Sequence, residues 1–144
     1  VTQQLDRRGI HIGVVLVLAC AACVSTNAAL LDSSLRLTPL PCPEAVRVFT
    51  DSSKVGKPYT EVALLSSAGD NDMTSESGMI RSQQKKAAQL GANGIILGQM
   101  KDASTGAQVA QAFLGTSANR KGRAIAIHIP SDTARVAAAC TPRQ

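Results

Sequence analysis

Apolar residues recur with two different periods along this chain, and the change of period marks its elements. Met79, Ile80, Ala87, Ala88 and Leu90 approximate one stripe of a helix, while Arg81, Gln84 and Lys85 fall mostly elsewhere. A start is available at Asp72, Thr74 or Ser75, whose oxygens can accept a hydrogen bond from a free amide of the first turn, and Glu76 meets the positive end of the helix dipole. Lys85 and Lys86 lie near the negative end, and Gly91 stands where a left-handed residue would close the last turn. Directly after it, Ile95, Ile96 and Leu97 form an unbroken apolar run between Gly94 and Gly98, the pattern of a strand covered on both faces.

Strand-like patterns flank this unit. Val46 and Val48 alternate with Arg47 and Phe49 over residues 45–50, and residues 59–66 form a second strand that is polar early, at Glu61, and apolar at its end. In residues 123–129, Ile125, Ile127 and Ile129 occupy one face and Ala124, Ala126 and His128 the other. Residues 107–114 pair Val109 with Phe113 and Ala110 with Leu114 at helical spacing before Gly115, which favours a short second helix. Residues 131–140 read as a terminal helical turn or two, capped by Ser131 or Asp132. The expected fold is therefore α+β: a small mixed sheet of about four strands with one main helix, over about residues 75–90, on one face, in the order β-β-α-β-(α)-β.

The first third of the chain reads differently. Arg7 and Arg8 precede an uncharged run from Gly9 to Val24, shorter than the roughly 20 apolar residues that a membrane-spanning helix requires. Basic residues, a short apolar stretch and then small residues are the features of a secretory signal. V-L-A-C ending at Cys20 and C-A-A-C ending at Cys23 each resemble the lipobox of bacterial lipoproteins, whose cysteine is diacylated and becomes the first mature residue. Cys20 is favoured, although Leu18 is bulkier than that motif usually has; at Cys23 the alanines fit, but Cys20 then stands in place of an aliphatic residue. Two plainer readings stand beside it: cleavage after Thr26–Ala28 to give a free secreted protein, or retention of the segment as a membrane-associated helix. Residues 24–43 lose any period and carry Pro39, Pro41 and Pro43, so they are expected to tether a leader, residues 1–23, to a single domain, residues 44–144.

Composition narrows the chemistry. The chain has 144 residues and a formal charge of +5, which falls to +4 without the segment before Cys20, where Arg7 and Arg8 stand against Asp6. Phe49, Tyr59 and Phe113 are the whole aromatic set, and there is no Trp, so recognition by stacking on bases is not expected and nucleic acid is not an expected partner. Arg120, Lys121 and Arg123 form one basic cluster, read either as a solvated turn or as a contact for anionic lipid, glycan or an acidic partner. Asp70, Asn71 and Asp72 invite a calcium reading, but the sixth and twelfth positions of such a loop would be Ser75 and Arg81 instead of glycine and glutamate, so capping is preferred. His128 has no second histidine beyond His11 of the leader, and no serine sits in a nucleophile elbow. The glycines around residues 91–98 follow a helix, whereas those of a phosphate loop precede one. No catalytic, cofactor-binding or metal-ligating set is legible. Cys42 and Cys140 flank the first and last strands; they either bridge the two ends of the domain or remain separate thiols.

Residues 57–65 (K-P-Y-T-E-V-A-L-L), 85–97 (K-K-A-A-Q-L-G-A-N-G-I-I-L) and 122–127 (G-R-A-I-A-I) together resemble the small α+β domain of bacterial envelope lipoproteins related to the Rcs stress-sensor lipoprotein and to YbjQ-like proteins. The resemblance spans about residues 45–130 and rests on core and turn residues. It implies a fold and a compartment: the cell envelope, with the protein lipid-anchored at the outer membrane and facing the periplasm. It also implies action through protein contacts, with no functional residue carried over. The Rcs sensor domain is held by two disulfides, whereas here at most one can form within the domain, between Cys42 and Cys140. The expected function is a non-catalytic, membrane-anchored lipoprotein that binds or senses an envelope protein, lipid or glycan. The alternative is a secreted enzyme or metal-handling protein whose site is assembled from scattered residues.

Overall fold

The computed structural model describes residues 24–70, 74–101 and 119–141, with the side chains of 99–101 excepted. Five strands, β1 (Ser25–Leu30), β2 (Arg47–Phe49), β3 (Thr60–Asp70), β4 (Gly94–Lys101) and β5 (Asn119–His128), form one sheet in the order β1-β3-β5-β4-β2. Helix α1 (Glu76–Gln89) lies on one face, and a short α2 (Thr133–Ala139) follows β5. All pairings are antiparallel except that of β2 with β4.

The α+β class and the main helix agree with the sequence, but the sheet has five strands where about four were expected, and the described elements run β-β-β-α-β-β-α in place of β-β-α-β-(α)-β. The fifth, β1, comes from the stretch read as a tether. Its residues S-T-N-A-A-L carry too little apolar contrast to announce a strand, yet Thr26, Ala28 and Leu30 pair with Ser67, Leu65 and Ala63 of β3 along the face toward α1. The chain then runs from Leu31 to Cys42 beside the helix, where Leu35, Leu37 and Leu40 pack half-buried on the main core and the Leu40 amide donates to Ala88 O at 2.9 Å. The expected helix over 107–114 lies outside the described residues.

Helix α1 begins and ends by local chemistry. Ser75 Oγ accepts the Gly78 amide at 3.1 Å, capping the first turn. At the other end Gly91, at φ +77°, donates to Ala88 O and the Ala92 amide donates to Ala87 O, both at 3.0 Å, which is a Schellman closure. A side chain at position 91 would be strained by that φ and would also meet Leu37 and, at 2.8 Å, Thr38 O. The strap therefore seats on the helix stop.

β5 occupies the middle of the sheet, and its two faces differ. Ala124 and Ala126 are buried under α1 with Ala63, Leu65, Ala87, Ala88 and Ile95. Ile127, together with Ile129 just beyond the strand, packs on the opposite face with Phe49, Val55 and Ile96. The unbroken run in β4 follows from this arrangement, since Ile95 serves the first cluster and Ile96 the second. A register shift between Glu61 and Ala63 lets both Val62 and Ala63 face the interior.

Cys42 and Cys140 form a disulfide with Cα atoms 5.5 Å apart, fastening the approach to β2 to the end of α2 across 98 residues of sequence. In the chain-entropy account, closing a loop of this size contributes about 4–5 kcal/mol, a large share of a small domain's stability. Reduction, or Cys42→Ser, should lower the urea unfolding free energy by about 2–5 kcal/mol. Unchanged midpoints with and without reductant would show that the bridge contributes nothing.

Candidate functional site

The basic stretch read from sequence as one cluster lies inside β5, where strand alternation divides it. Arg120 is half-buried on the α1 side, and its Nη1 donates to Thr74 O at 2.9 Å, so it holds the entry to the helix. Lys121 and Arg123 are exposed on the opposite, outer face. They stand in register with Ala68 and Ser66 of β3, which in turn pair with Ser25 and Asn27 of β1. The next residues on this face are Ile125, Leu64 and Ala29, and Leu64 is 42% exposed. Towards β2 the same row continues through Ile96 and Phe49, which are covered by the second core cluster. Glu61, opposite Ile127, marks the far end. The outer face thus runs from Lys121 and Arg123, beside the start of β1, through an apolar patch to a row that holds both Glu61 and the exposed Arg47, whose guanidinium lies over the Phe49 ring.

Beneath α1 lies a polar contact that apolar periodicity does not show. Gln83 sits one turn from both Met79 and Ala87 on the buried face of the helix and is fully enclosed. Its Nε2 donates to Ser67 Oγ at 2.8 Å, and Ser67 Oγ donates to Gly122 O at 3.2 Å. Gln83 Oε1 and Thr74 Oγ1 have no hydrogen-bond partner among the described residues. Gly122 is the smallest residue on this face of β5, and a Cβ there would come within 3.0 Å of Met79 Cε. The only signal in the sequence was a glutamine inside an apolar stripe.

A second polar group closes the far end of the sheet. Asp132, expected as a helix cap, makes no capping bond and is buried. Its Oδ1 accepts Lys57 Nζ at 2.8 Å and its Oδ2 accepts Arg135 Nε at 2.5 Å. Arg135 Nη1 also donates to Ala45 O at 2.9 Å. Beside it, Asn93 donates to Ile129 O at 2.9 Å and accepts the Ile129 amide at 2.8 Å. The Lys57 hydrogen bond holds Asp132 below the ordinary carboxylate value of 3.8; burial opposes this, and Arg135 reinforces it. With both oxygens taken by cations, this carboxylate serves as a buried counter-ion that joins α2 to the loop before β3.

Asp70 ends β3, while Asn71 and Asp72 lie outside the described residues, as do Cys20 and Cys23. Among the described residues, no three His, Cys, Asp or Glu side chains are grouped to hold a metal ion. His128 is half-buried at the end of β5, and its Nδ1 has no partner among them. An open groove between α1 and the turn before β2 is lined by Pro43, Glu44, Arg81, Gln84 and Lys85. No described helix is long and apolar enough to cross a membrane.

The chain matches no protein-family profile, and no characterised protein matches it in sequence. Among solved structures, a Francisella virulence factor, FvfA, superposes with a TM-score of 0.49 at 16% identity, covering 72% of this chain and 96% of its own. At that distance it carries no function across.

Replacing Asp132 by Asn leaves Lys57 and Arg135 without their counter-charge and should cost about 2–3 kcal/mol at neutral pH. Because the folded-state pKa is depressed, this contribution is present above the ordinary value of 3.8 and is lost as the pH falls through the lower folded value. Urea unfolding of wild type and Asp132→Asn should converge as the pH drops below that range. A gap independent of pH would rule out the charge pairing as its origin.

Proposed function

We propose that this chain is a lipid-anchored protein of the bacterial envelope that works by binding or sensing a partner, without catalysis. The observation that carries the proposal is the basic, apolar and then small-residue leader that closes on Cys20 and Cys23 just before Ser25, where β1 begins. Each buried methylene contributes about 0.8 kcal/mol, so two acyl chains on one thiol make a stable anchor where a single chain does not. The Cys42–Cys140 disulfide supports export, because such bridges persist in oxidising compartments. The resemblance to Rcs-type envelope lipoproteins supports action through contacts, with an envelope protein, a glycan or a lipid as partner. Surfaces suited to that role are the outermost strands of the sheet, β1 and β2, and the exposed Lys121 and Arg123.

Mass spectrometry of the mature amino terminus from a bacterial envelope fraction provides the test. The expected result is a diacylated cysteine whose lipid mass disappears in Cys20→Ala and persists in Cys23→Ala; the reverse pattern would move the anchor to Cys23. An unmodified first residue, or acylation that survives both substitutions, would overturn the proposal.

A further inference from the structure

The strand register places the leader and the basic side chains at the same end of the sheet. Ser25, the first residue of β1, is in register with Ala68, and Ala68 with Lys121. Strands lie about 4.8 Å apart, so the start of β1 and Lys121 are separated by only about 10 Å. Ser25 follows Cys20 by five positions, and at most about 3.5 Å of chain per position limits that link to roughly 17 Å. From Cys23 the limit is about 7 Å. Residues 25–42 do not extend this reach, because they are paired in β1 or bonded to β3 and α1. A domain anchored through either thiol is therefore held close to the bilayer by its Lys121 end, with the disulfide at the opposite end.

Resting on the lipid-anchor reading, we propose that the outer face of the sheet lies on the anionic bilayer in which the chain is anchored. Lys121 and Arg123 meet the lipid phosphates, and Leu64, Ile125 and Ala29 follow them towards the interface. Charge complementarity selects this occupant: Lys121 and Arg123 are exposed on the face at the leader end, and at the far end Glu61 shares its row with the exposed Arg47, so among the strand residues described the face is net positive. Each basic residue near an anionic surface favours the contact about fivefold, so the pair favours it about 30-fold. The sheet thereby rests on the membrane and presents α1 and its groove outward.

The chain contains no Trp, so single reporters are available. Ser66→Trp places one on the outer face, and Gln89→Trp places one on the exposed side of α1. The full chain, purified with its native anchor, is reconstituted in phosphatidylethanolamine vesicles with or without phosphatidylglycerol, with brominated lipid as quencher. The Ser66→Trp reporter should be quenched when phosphatidylglycerol is present, and the Gln89→Trp reporter should not. Lys121→Glu with Arg123→Glu should reduce the docked population at least 30-fold, and Lys121→Arg with Arg123→Lys should retain it. Equal quenching of the two reporters, indifference to phosphatidylglycerol, or shielding of the Ser66→Trp reporter by protein concentration in detergent would overturn the proposal; the last would assign the face to a second copy. Mass spectrometry of the same sample separates the two levels. An acylated, unquenched protein sinks the docking alone, whereas an unacylated one sinks the anchor and the docking with it.

Discussion

The approach of α1 to the central strand over Gly122, Ala124 and Ala126 is the contact on which the rest of the structure depends. Small residues on β5 meet Met79, Gln83 and Ala87 on the helix, so the two layers close over a thin interface built largely of alanine. Such an interface has little side-chain volume to contribute, and larger residues have to seal its margins: Leu65, Ile95 and the half-buried Leu35, Leu37 and Leu40. That requirement explains why the chain from Leu31 to Cys42 is laid against the helix, and why Gly91 has to lack a side chain where Leu37 passes. The buried pair Gln83 and Ser67 adds a directional contact that fixes the position of the helix along the sheet.

The sequence made some elements legible and hid others, for identifiable reasons. The stop at Gly91, the run Ile95–Leu97 and the two faces of residues 124–129 were readable because each carries a strong local signal in glycine placement or apolar period. β1 was not readable, because a strand whose main contribution is main-chain pairing along an edge leaves little trace in side-chain hydropathy. The basic residues at 120–123 were visible as a composition feature. Their division between two faces depended on whether they lay in a turn or a strand, and β5 extends back to Asn119 because β3 continues to Asp70 and supplies partners for it. Asp132 was read as a cap, the ordinary local use of an aspartate before a helix. Its actual partners, Lys57 and Arg135, include one from 75 residues away, a distance over which no local pattern reports.

These features combine into a domain with unlike ends. One end carries the start of β1, the entry to α1 held by Arg120, and the exposed cations of β5. The other carries the covalent bridge, the Asp132 group and the Asn93 clasp, which tie the last strand, α2 and the turn before β2 into one body. Covalent reinforcement is thus placed where the chain closes.

That placement has a mechanical consequence. A domain pulled by its amino-terminal side bears the load first on β1, which is held by its ladder to β3, by the hydroxyl contact of Thr26 with Ser82 and by Ala28 packed on the main core. Once β1 peels away, the strap follows, and the stretch 25–41 pays out up to about 60 Å of chain before the force arrives at Cys42. There it meets a bond that thermal fluctuation does not break, and the remaining four strands and the helix are protected behind it. The fold therefore contains a leash of defined length with a covalent stop.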